Sequence, residues 1–403
     1  MAIFTRFLGA ALAALLVAGC AAQGTKKDVS GEVLGRMERA VAADIERGRI
    51  PGAVIVVHKD GQTVYAKALG RQDPRAEAPM REDSLFRIYS MTKPIVSVAA
   101  MMLVEEGRIT LSDPVSKHIP ELKGLKVGVE KDGTLELVNA QREPTIQDLL
   151  RHTSGLTYGV FGRSMVKDLY KKNQVDAADH TNAELVRKLA TVPLHYQPGT
   201  TWEYGRSTDV LGHLIERVSG EALDEHLQRR ILGPLRMKDT GFFVEPARQA
   251  RIAEAFAKDP DSGQAVTMLE IRQKPRYLAG GQGLVSTAGD YLRFARMLLN
   301  GGELEGVRIL SRKTVDYMTS DHLGAIRGPG PGYGFGLGFA VRHANGLSST
   351  NGSAGDYNWA GAGGTYFWVD PKERLIGVWM MQAPNQRNYY RELFRNMVYG
   401  ALD

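Results

Sequence analysis

At 403 residues the chain is long enough for two packed units, and a content of 43% hydrophobic and 24% charged residues is that of an ordinary globular protein with a sizeable core. The 51 basic and 45 acidic residues are spread along the chain without a run of five like charges, so the net charge of +6 describes a solvated surface and no nucleic-acid partner is expected. A single cysteine, Cys20, excludes an internal disulfide framework, and the nine histidines form no H-E-x-x-H or other compact ligand cluster, so no metal and no cofactor is expected.

Arg6 precedes a continuous apolar stretch, Phe7 to Ala18. It is too short for a bilayer-crossing helix of about 20 residues and reads as an export signal. It runs into Val17-Ala18-Gly19-Cys20, which resembles the bacterial lipobox, whose cysteine becomes the lipidated first residue. Residues 1–20 are therefore expected to be a lipoprotein signal peptide, Cys20 the membrane anchor, and 21–30 a polar tether. Ala21, with no aspartate after the cysteine, is similar to lipoproteins sorted to the outer membrane. The expected location is the bacterial cell envelope, facing the periplasm. Simple cleavage after Ala22, giving a soluble periplasmic protein, is the alternative. If the lipid consumes Cys20, the folded body has no thiol, and cysteine nucleophiles are excluded with cysteine metal sites.

From Val33 to Ile45 apolar positions recur with helical spacing. "GAVIVVHKDGQTVYAKALG" then gives two β-rich runs around Lys59-Asp60-Gly61, a hairpin. Between residues 89 and 282 the pattern is chiefly helical, as in "PIVSVAAMMLVEEG", "TIQDLLRH", "NAELVRKLAT" and "STDVLGHLIERVSG". The later "GYGFGLGF" alternates glycine with large apolar residues and reads as a strand. A second hairpin, "GGTYFWVDPKERLIGVWMMQ", turns at Asp370-Pro371, and the chain closes on the amphipathic "NQRNYYRELFRNMVYGAL". Strands at both ends around a helical middle predict an α/β (α+β) fold: an antiparallel sheet with terminal helices, from 31–88 and 283–403, and an inserted mainly helical domain, 89–282.

Within that plan "FRIYSMTKPIVSVAAMMLVEEG" places Ser90 and Lys93 on one helical face. A serine hydroxyl needs a base to become a nucleophile. Lysine serves as one only if its pKa falls by about three units, about 4 kcal/mol, through burial or cationic neighbours. The apolar residues that follow supply burial, and the helix start supplies free N–H groups suited to a developing oxyanion. A second S-x-x-K, Ser164 to Lys167, precedes the polar "DLYKKNQ" and has no apolar helix behind it. Tyr204, on a loop after Pro198-Gly199 and before a helix capped by Ser207 or Thr208, can hold or relay the same proton. "YNWAGAGGTYF" lays glycines at a strand start, where bare backbone lets a substrate approach.

The order Ser-x-x-Lys, then Tyr, then a Gly-rich strand entry resembles the serine β-lactamase and penicillin-binding-protein-like fold, and in particular the class C β-lactamases and their relatives, the family VIII carboxylesterases. "LLRHTSGLTYG", "QPGTTWEY", "STDVLG", "AGGQGLVSTAGDYLRFARMLLNGG" and "TYFWVDPKERLIGVWMMQ" are similar to that family too. The resemblance implies an acyl-enzyme at Ser90, proton movement by Lys93 and Tyr204 with the base left open between them, and an oxyanion hole from the Ser90 and Ala362 amides. The chain departs from the penicillin-active pattern at two places. Tyr204-Gly205-Arg206 stands where Tyr-x-Asn is usual, and Trp359-Ala360-Gly361 stands in the place of Lys-Thr-Gly, similar to the esterases. An indole offers an apolar wall and one N–H where a lysine offers a charge. The expected reaction is therefore hydrolysis of neutral short-chain acyl esters, with Trp359 and Gly361 at the substrate, Arg206 as a candidate anion contact, and Tyr158 and Phe161, with Met165, as candidates for an acyl pocket. A β-lactamase or D-amino-acid peptidase with the same machinery, and a non-catalytic cell-wall-binding lipoprotein, are the alternatives. His152 is expected to order a loop. No G-x-S-x-G is present, against the nucleophile elbow of α/β-hydrolases.

Overall fold

The computed structural model describes residues 29–402; the export signal, Cys20 and most of the tether lie outside the described residues. Helix α1 (Gly31–Glu46) starts where the Ser30 hydroxyl accepts from the Val33 amide (3.4 Å) and buries Leu34, Met37 and Val41. Strands β1 (Gly52–Lys59) and β2 (Gln62–Asp73) follow as a hairpin. Its two turn residues, Asp60 and Gly61, have φ of 50° and 82°, the double left-handed turn that matches strand twist. A short edge strand β3 (Ala78–Pro79) precedes α2 (Thr92–Glu105), α3 (Ser207–Ser219) and α4 (Ala288–Leu299). The chain returns through β4 (Tyr333–Phe335), β5 (Ala340–Arg342), β6 (Tyr357–Ala360), β7 (Tyr366–Asp370) and β8 (Leu375–Met381), and ends on α5 (Arg387–Tyr399).

These strands form one antiparallel sheet in the order β4-β5-β6-β7-β8-β1-β2-β3. The two ends of the chain meet at its centre, where β8 pairs with β1 and Ile55 lies opposite Trp379. Both faces are covered, so β1, β7 and β8 are buried throughout and read as unbroken apolar runs. Successive residues point to opposite faces. Val54, Val56, Val378 and Met380 join α2 and α4 in the larger apolar cluster, whereas Ala53, Ile55, Val57, Trp379 and Met381 join α1 and α5. The larger cluster continues without a break into the helical segment, through Tyr170, Leu185 and Leu211. At the junction Phe86–Arg87 pairs antiparallel with Val285–Ser286, tying the start of that segment to its end.

Three local expectations change. The helical segment contains a hairpin, Lys126–Lys131 with Thr134–Asn139, around Asp132-Gly133, a turn dipeptide between alternating residues. "GYGFGLGF" is a bend between two strands, β4 and β5, because Gly338 takes φ of 103° where a Cβ would stand 2.5 Å from Ser97 Oγ on α2. Helix α3 is capped by neither Ser207 nor Thr208: Arg206 occupies the cap without a side-chain cap bond, and Ser207 Oγ bonds Ser154 Oγ (2.8 Å) instead. Among the described residues no helix is long and apolar enough to cross a membrane, and no group of three or more His, Cys, Asp or Glu could hold a metal.

Candidate active site

Ser90 lies in a three-residue turn, Tyr89–Met91, directly ahead of α2. Tyr89 has φ of 44°, a left-handed conformation that a bulky side chain adopts only when its surroundings enforce it. The enforcement is visible: the Leu269 amide donates to the Tyr89 hydroxyl (3.1 Å), and a Cβ on Gly363 would stand 2.7 Å from the ring. This kink turns Ser90 into a cleft while α2 carries Lys93 inward.

Helix α2 is buried from Thr92 through Leu103, and Lys93 is 1% exposed. Its Nζ donates to Ser90 Oγ (3.3 Å), Tyr158 Oη (3.2 Å) and the Gly281 carbonyl (2.8 Å). Three acceptors match the three hydrogens of an ammonium, with none left over. Burial works against the charge, but the oxygens of Tyr158 and Tyr204 and the Asp209 carboxylate outweigh it, and the pKa of Lys93 lies above the ordinary lysine value. The burial needed for a neutral lysine base is present; the acceptors around it reverse the outcome.

Tyr204 reaches Ser90 from the other side, its hydroxyl donating to Ser90 Oγ at 2.6 Å. Gly205 makes this possible, since a Cβ there would meet the Leu156 carbonyl at 2.3 Å and push the loop off the Leu156–Tyr158 segment. The Tyr204 ring is walled by His152 (5.0 Å between centroids), Trp359 (5.4 Å), Tyr158 (5.5 Å) and Trp202 (6.1 Å), and Lys93 Nζ lies 4.5 Å from its centroid. His152 is buried with φ of 57°, and its carbonyl accepts from the Glu203 amide, so it does order the loop. Burial, and then the charge of Lys93, hold its pKa well below the usual histidine value, which leaves it a neutral wall.

Behind Lys93 lies a second buried layer. Asp209 Oδ1 accepts from the Gly281 amide (3.0 Å) and from Tyr277 Oη (2.7 Å), so α3 fixes the strand of backbone whose carbonyl holds Lys93. A Cβ on Gly281 would fall 2.7 Å from the Asp209 carboxylate, which is why glycine stands there.

Two expected substrate contacts belong to this layer and not to the cleft. Arg206 is 3% exposed; its Nε and Nη2 donate to Asp176 Oδ1 (3.1 and 2.6 Å) and its Nη1 faces the buried Asp209 Oδ2 (3.5 Å), so its charge is taken up by these two carboxylates and is not offered to an anion. Tyr158 is 5% exposed and is a hydrogen-bond partner of Lys93, not the lining of an acyl pocket. Gly361 also moves from substrate to scaffold: a Cβ there would stand 2.4 Å from the carbonyl of Ile88, so it lets β6 run against the backbone that carries Ser90. Met165 opens the helix Met165–Lys172, away from the cleft.

The cleft encloses about 570 Å³ and is lined by Ser90, Tyr204, Trp359 and Ala362, with Phe161, 54% exposed, at its mouth. The structure adds Trp202 to the aromatic wall. The sequence carries a signal for it, since Trp202 and Tyr204 are two apart in an extended segment and share a face. Helix α5 contributes Arg387 and Arg391. Among the described residues neither the Ser90 nor the Ala362 amide donates to a backbone carbonyl, so both N–H groups stay available at the cleft. The second S-x-x-K is structural: Ser164 caps its helix by accepting from the Lys167 amide (3.1 Å), and Lys167 pairs with Glu203 (3.1 Å).

The loop that ends in His152 is pinned by Asp148, fully buried, which accepts from Arg142, Arg151, Thr145 and Thr153. Burial would raise its pKa, but these donors, Arg142 foremost, bring it down to about 2 from 3.8. A depressed carboxylate contributes stability that is present above the unfolded pKa and lost as pH falls through the folded one. Asp148 should therefore supply about 2 kcal/mol at pH 7 that disappears between roughly pH 4 and 2. In urea melts at pH 7 Asp148→Asn is expected to lose about 3 kcal/mol by stranding two arginines, and the gap to wild type narrows as the pH is lowered to 3.

A serine hydroxyl bonded by a lysine one turn on and by a tyrosine stands at the junction of the two-ended antiparallel sheet and the helical segment, the arrangement of serine hydrolases of penicillin-recognising type. The family model named Beta-lactamase matches residues 37–400, and the chain belongs to that family. It is 35% identical to Protein Rv1367c of Mycobacterium tuberculosis, over 84% of this chain and 87% of that one. It is 32% identical to Esterase EstB of Burkholderia gladioli, over 87% and 90%. Among solved structures, "EstCE1, a hydrolase with promiscuous acyltransferase activity" superposes with a TM-score of 0.77 at 26% identity, covering 92% of this chain and 99% of that one. The protein is a serine hydrolase of the β-lactamase family.

Proposed function

We propose that the protein is a carboxylesterase that acts on short-chain acyl esters through an acyl-enzyme at Ser90. The observation that carries this reading is the 2.6 Å contact of Tyr204 with Ser90 beside a lysine held as a cation. Tyr204 first gives up to solvent the hydrogen it donates to Ser90 Oγ in the resting structure. Ser90 Oγ then attacks the ester carbonyl and its proton passes to the Tyr204 oxygen, with the Lys93 ammonium 4.5 Å from the ring facing the negative charge. The carbonyl oxygen becomes an oxyanion between the Ser90 and Ala362 amides. Collapse expels the alcohol, which takes the proton from Tyr204; water then repeats the sequence on the acyl-serine, with Tyr204 taking its proton and returning it to Ser90. Trp359 in the cleft wall, where penicillin-active relatives carry a lysine, supports neutral esters over β-lactams, and the esterase names of EstB and EstCE1 point the same way.

Residues 21–403 are expected to release p-nitrophenol from the acetate or butyrate ester with a burst that matches the enzyme concentration, and to turn nitrocefin over far more slowly. Ser90→Ala should fall to the buffer rate. Full activity in that variant, or nitrocefin outpacing the esters, rejects the reading. A lipid anchor at Cys20, with the protein in the cell envelope on the periplasmic side of the outer membrane, is part of the same proposal. It rests on the lipobox-like Val17 to Cys20. Intact mass of the membrane-extracted protein should show a diacylated Cys20 terminus, and an unmodified Gln23 terminus would contradict it.

A further inference from the structure

The turn after β6 carries a charged contact that the proton relay does not use. Gly361 and Ala362 share one peptide unit, and in a trans peptide the C=O and the N–H point in opposite directions. The Gly361 carbonyl accepts from Arg391 Nη2 at 2.8 Å and from the Gly364 amide at 3.2 Å. The Ala362 N–H is the other end of that same dipole, at a residue that lines the cleft with Ser90.

Arg391 has no carboxylate partner among the described residues. Its neighbour Glu392 accepts from Ser349 Oγ (3.1 Å), its Nε is buried with no acceptor, and its Nη1 has only Asn388 Oδ1 at 3.5 Å. It lies early in α5, whose first turn holds no acidic residue and which also carries Arg387, so two cations sit at the positive end of a helix dipole. Burial, and then the charge of Arg387, pull its pKa down to about 10. An arginine retained for stability would have a carboxylate beside it, and one retained for solubility would be exposed. Its one short contact is a carbonyl.

We infer that Arg391 is a positioning residue for the oxyanion hole: its charged hydrogen bond fixes the plane of the 361–362 peptide and polarises it, so that the Ala362 N–H becomes a stronger donor. This rests on the acyl-enzyme reading above. Charge-assisted bonds are the strong ones, and a bond to the oxygen of an amide strengthens donation from its nitrogen. The turn cannot slide to compensate, because Gly361 is packed against Ile88 and Thr365 with no room even for a Cβ. The oxyanion exists only along the reaction path, so the contribution belongs in kcat and not in KM.

The test compares wild type with Arg391→Met and Arg391→Gln on p-nitrophenyl butyrate and on mono-p-nitrophenyl glutarate, an ester of similar length ending in a carboxylate. The kcat is expected to fall roughly tenfold on both esters with KM within about twofold, less than the ~10²-fold cost of deleting an oxyanion donor outright. In infrared difference spectra of the acyl-enzyme the ester C=O stretch should move to higher wavenumber in both variants, a shift that a merely structural role would not give. Unchanged kcat with an unmoved stretch overturns the inference. So does a defect confined to KM for the glutarate, which would make Arg391 a substrate contact. If the methionine variant does not fold, the stretch in the glutamine variant decides in the same way. A wild type that takes no acyl group at Ser90 removes the proposed function and this inference together, whereas the other outcomes bear on Arg391 alone.

Discussion

Tyr204→Phe is expected to lower kcat for p-nitrophenyl butyrate by about a thousandfold, with KM within about twofold of wild type. The substitution removes one oxygen and leaves the ring, so the contacts with His152, Trp359 and Trp202 that seat the loop persist. What is lost is the atom 2.6 Å from Ser90 Oγ. Lys93 cannot take over, because its three acceptors keep the ammonium and leave no lone pair. If Lys93 were the base, the phenylalanine variant would keep a tenth or more of its activity. Parallel kcat and KM measurements separate the two schemes, and a melting temperature near wild type confirms that the fold is retained.

The second large effect concerns that cation. Lys93→Met fills nearly the same volume without charge, and kcat is expected to drop by about a thousandfold again. The distinguishing feature is the pH profile. With Lys93 held as a cation, its own ionisation does not shape the rising limb of kcat/KM, and that limb persists in Lys93→Met. A lysine acting as neutral base would put its own ionisation on that limb, and the methionine variant would lose it. The Gly281 carbonyl and Tyr158 hydroxyl also lose their buried partner, at a cost of about 1–3 kcal/mol. Urea melts beside the pH profile keep this stability loss apart from the catalytic one.

Much of the architecture was legible because its signals are local. Asp60-Gly61 and Asp370-Pro371 mark the hairpins, and the apolar periodicity of α1 and α5 marks the covering helices. The pairing of β1 with β8 followed from both ends being strand-rich, although no local pattern fixes the register of Ile55 against Trp379. Ser90 and Lys93 were legible as one face of a helix. Tyr204 needed the resemblance, because its approach to Ser90 depends on Gly205 fitting under the Leu156 carbonyl, a tertiary contact. The misplacements have the same origin. Arg206 looks free in sequence because its main partner, Asp176, lies 30 residues away, and Tyr158 looks like pocket lining because nothing in "GLTYG" shows that Lys93 arrives from α2. Arg391 was invisible for a further reason: its acceptor is a backbone carbonyl, which has no sequence signature at all.

The most direct measurement is intact-mass analysis after treatment with a fluorophosphonate, followed by mapping of the labelled peptide. An activated alcohol beside Lys93 and Tyr204 predicts one adduct per chain, on the peptide that contains Ser90, with labelling slowed at least a hundredfold in Tyr204→Phe. A chain that takes no label, or that takes it at Ser164 or another serine while Ser90 stays free, would contradict the account.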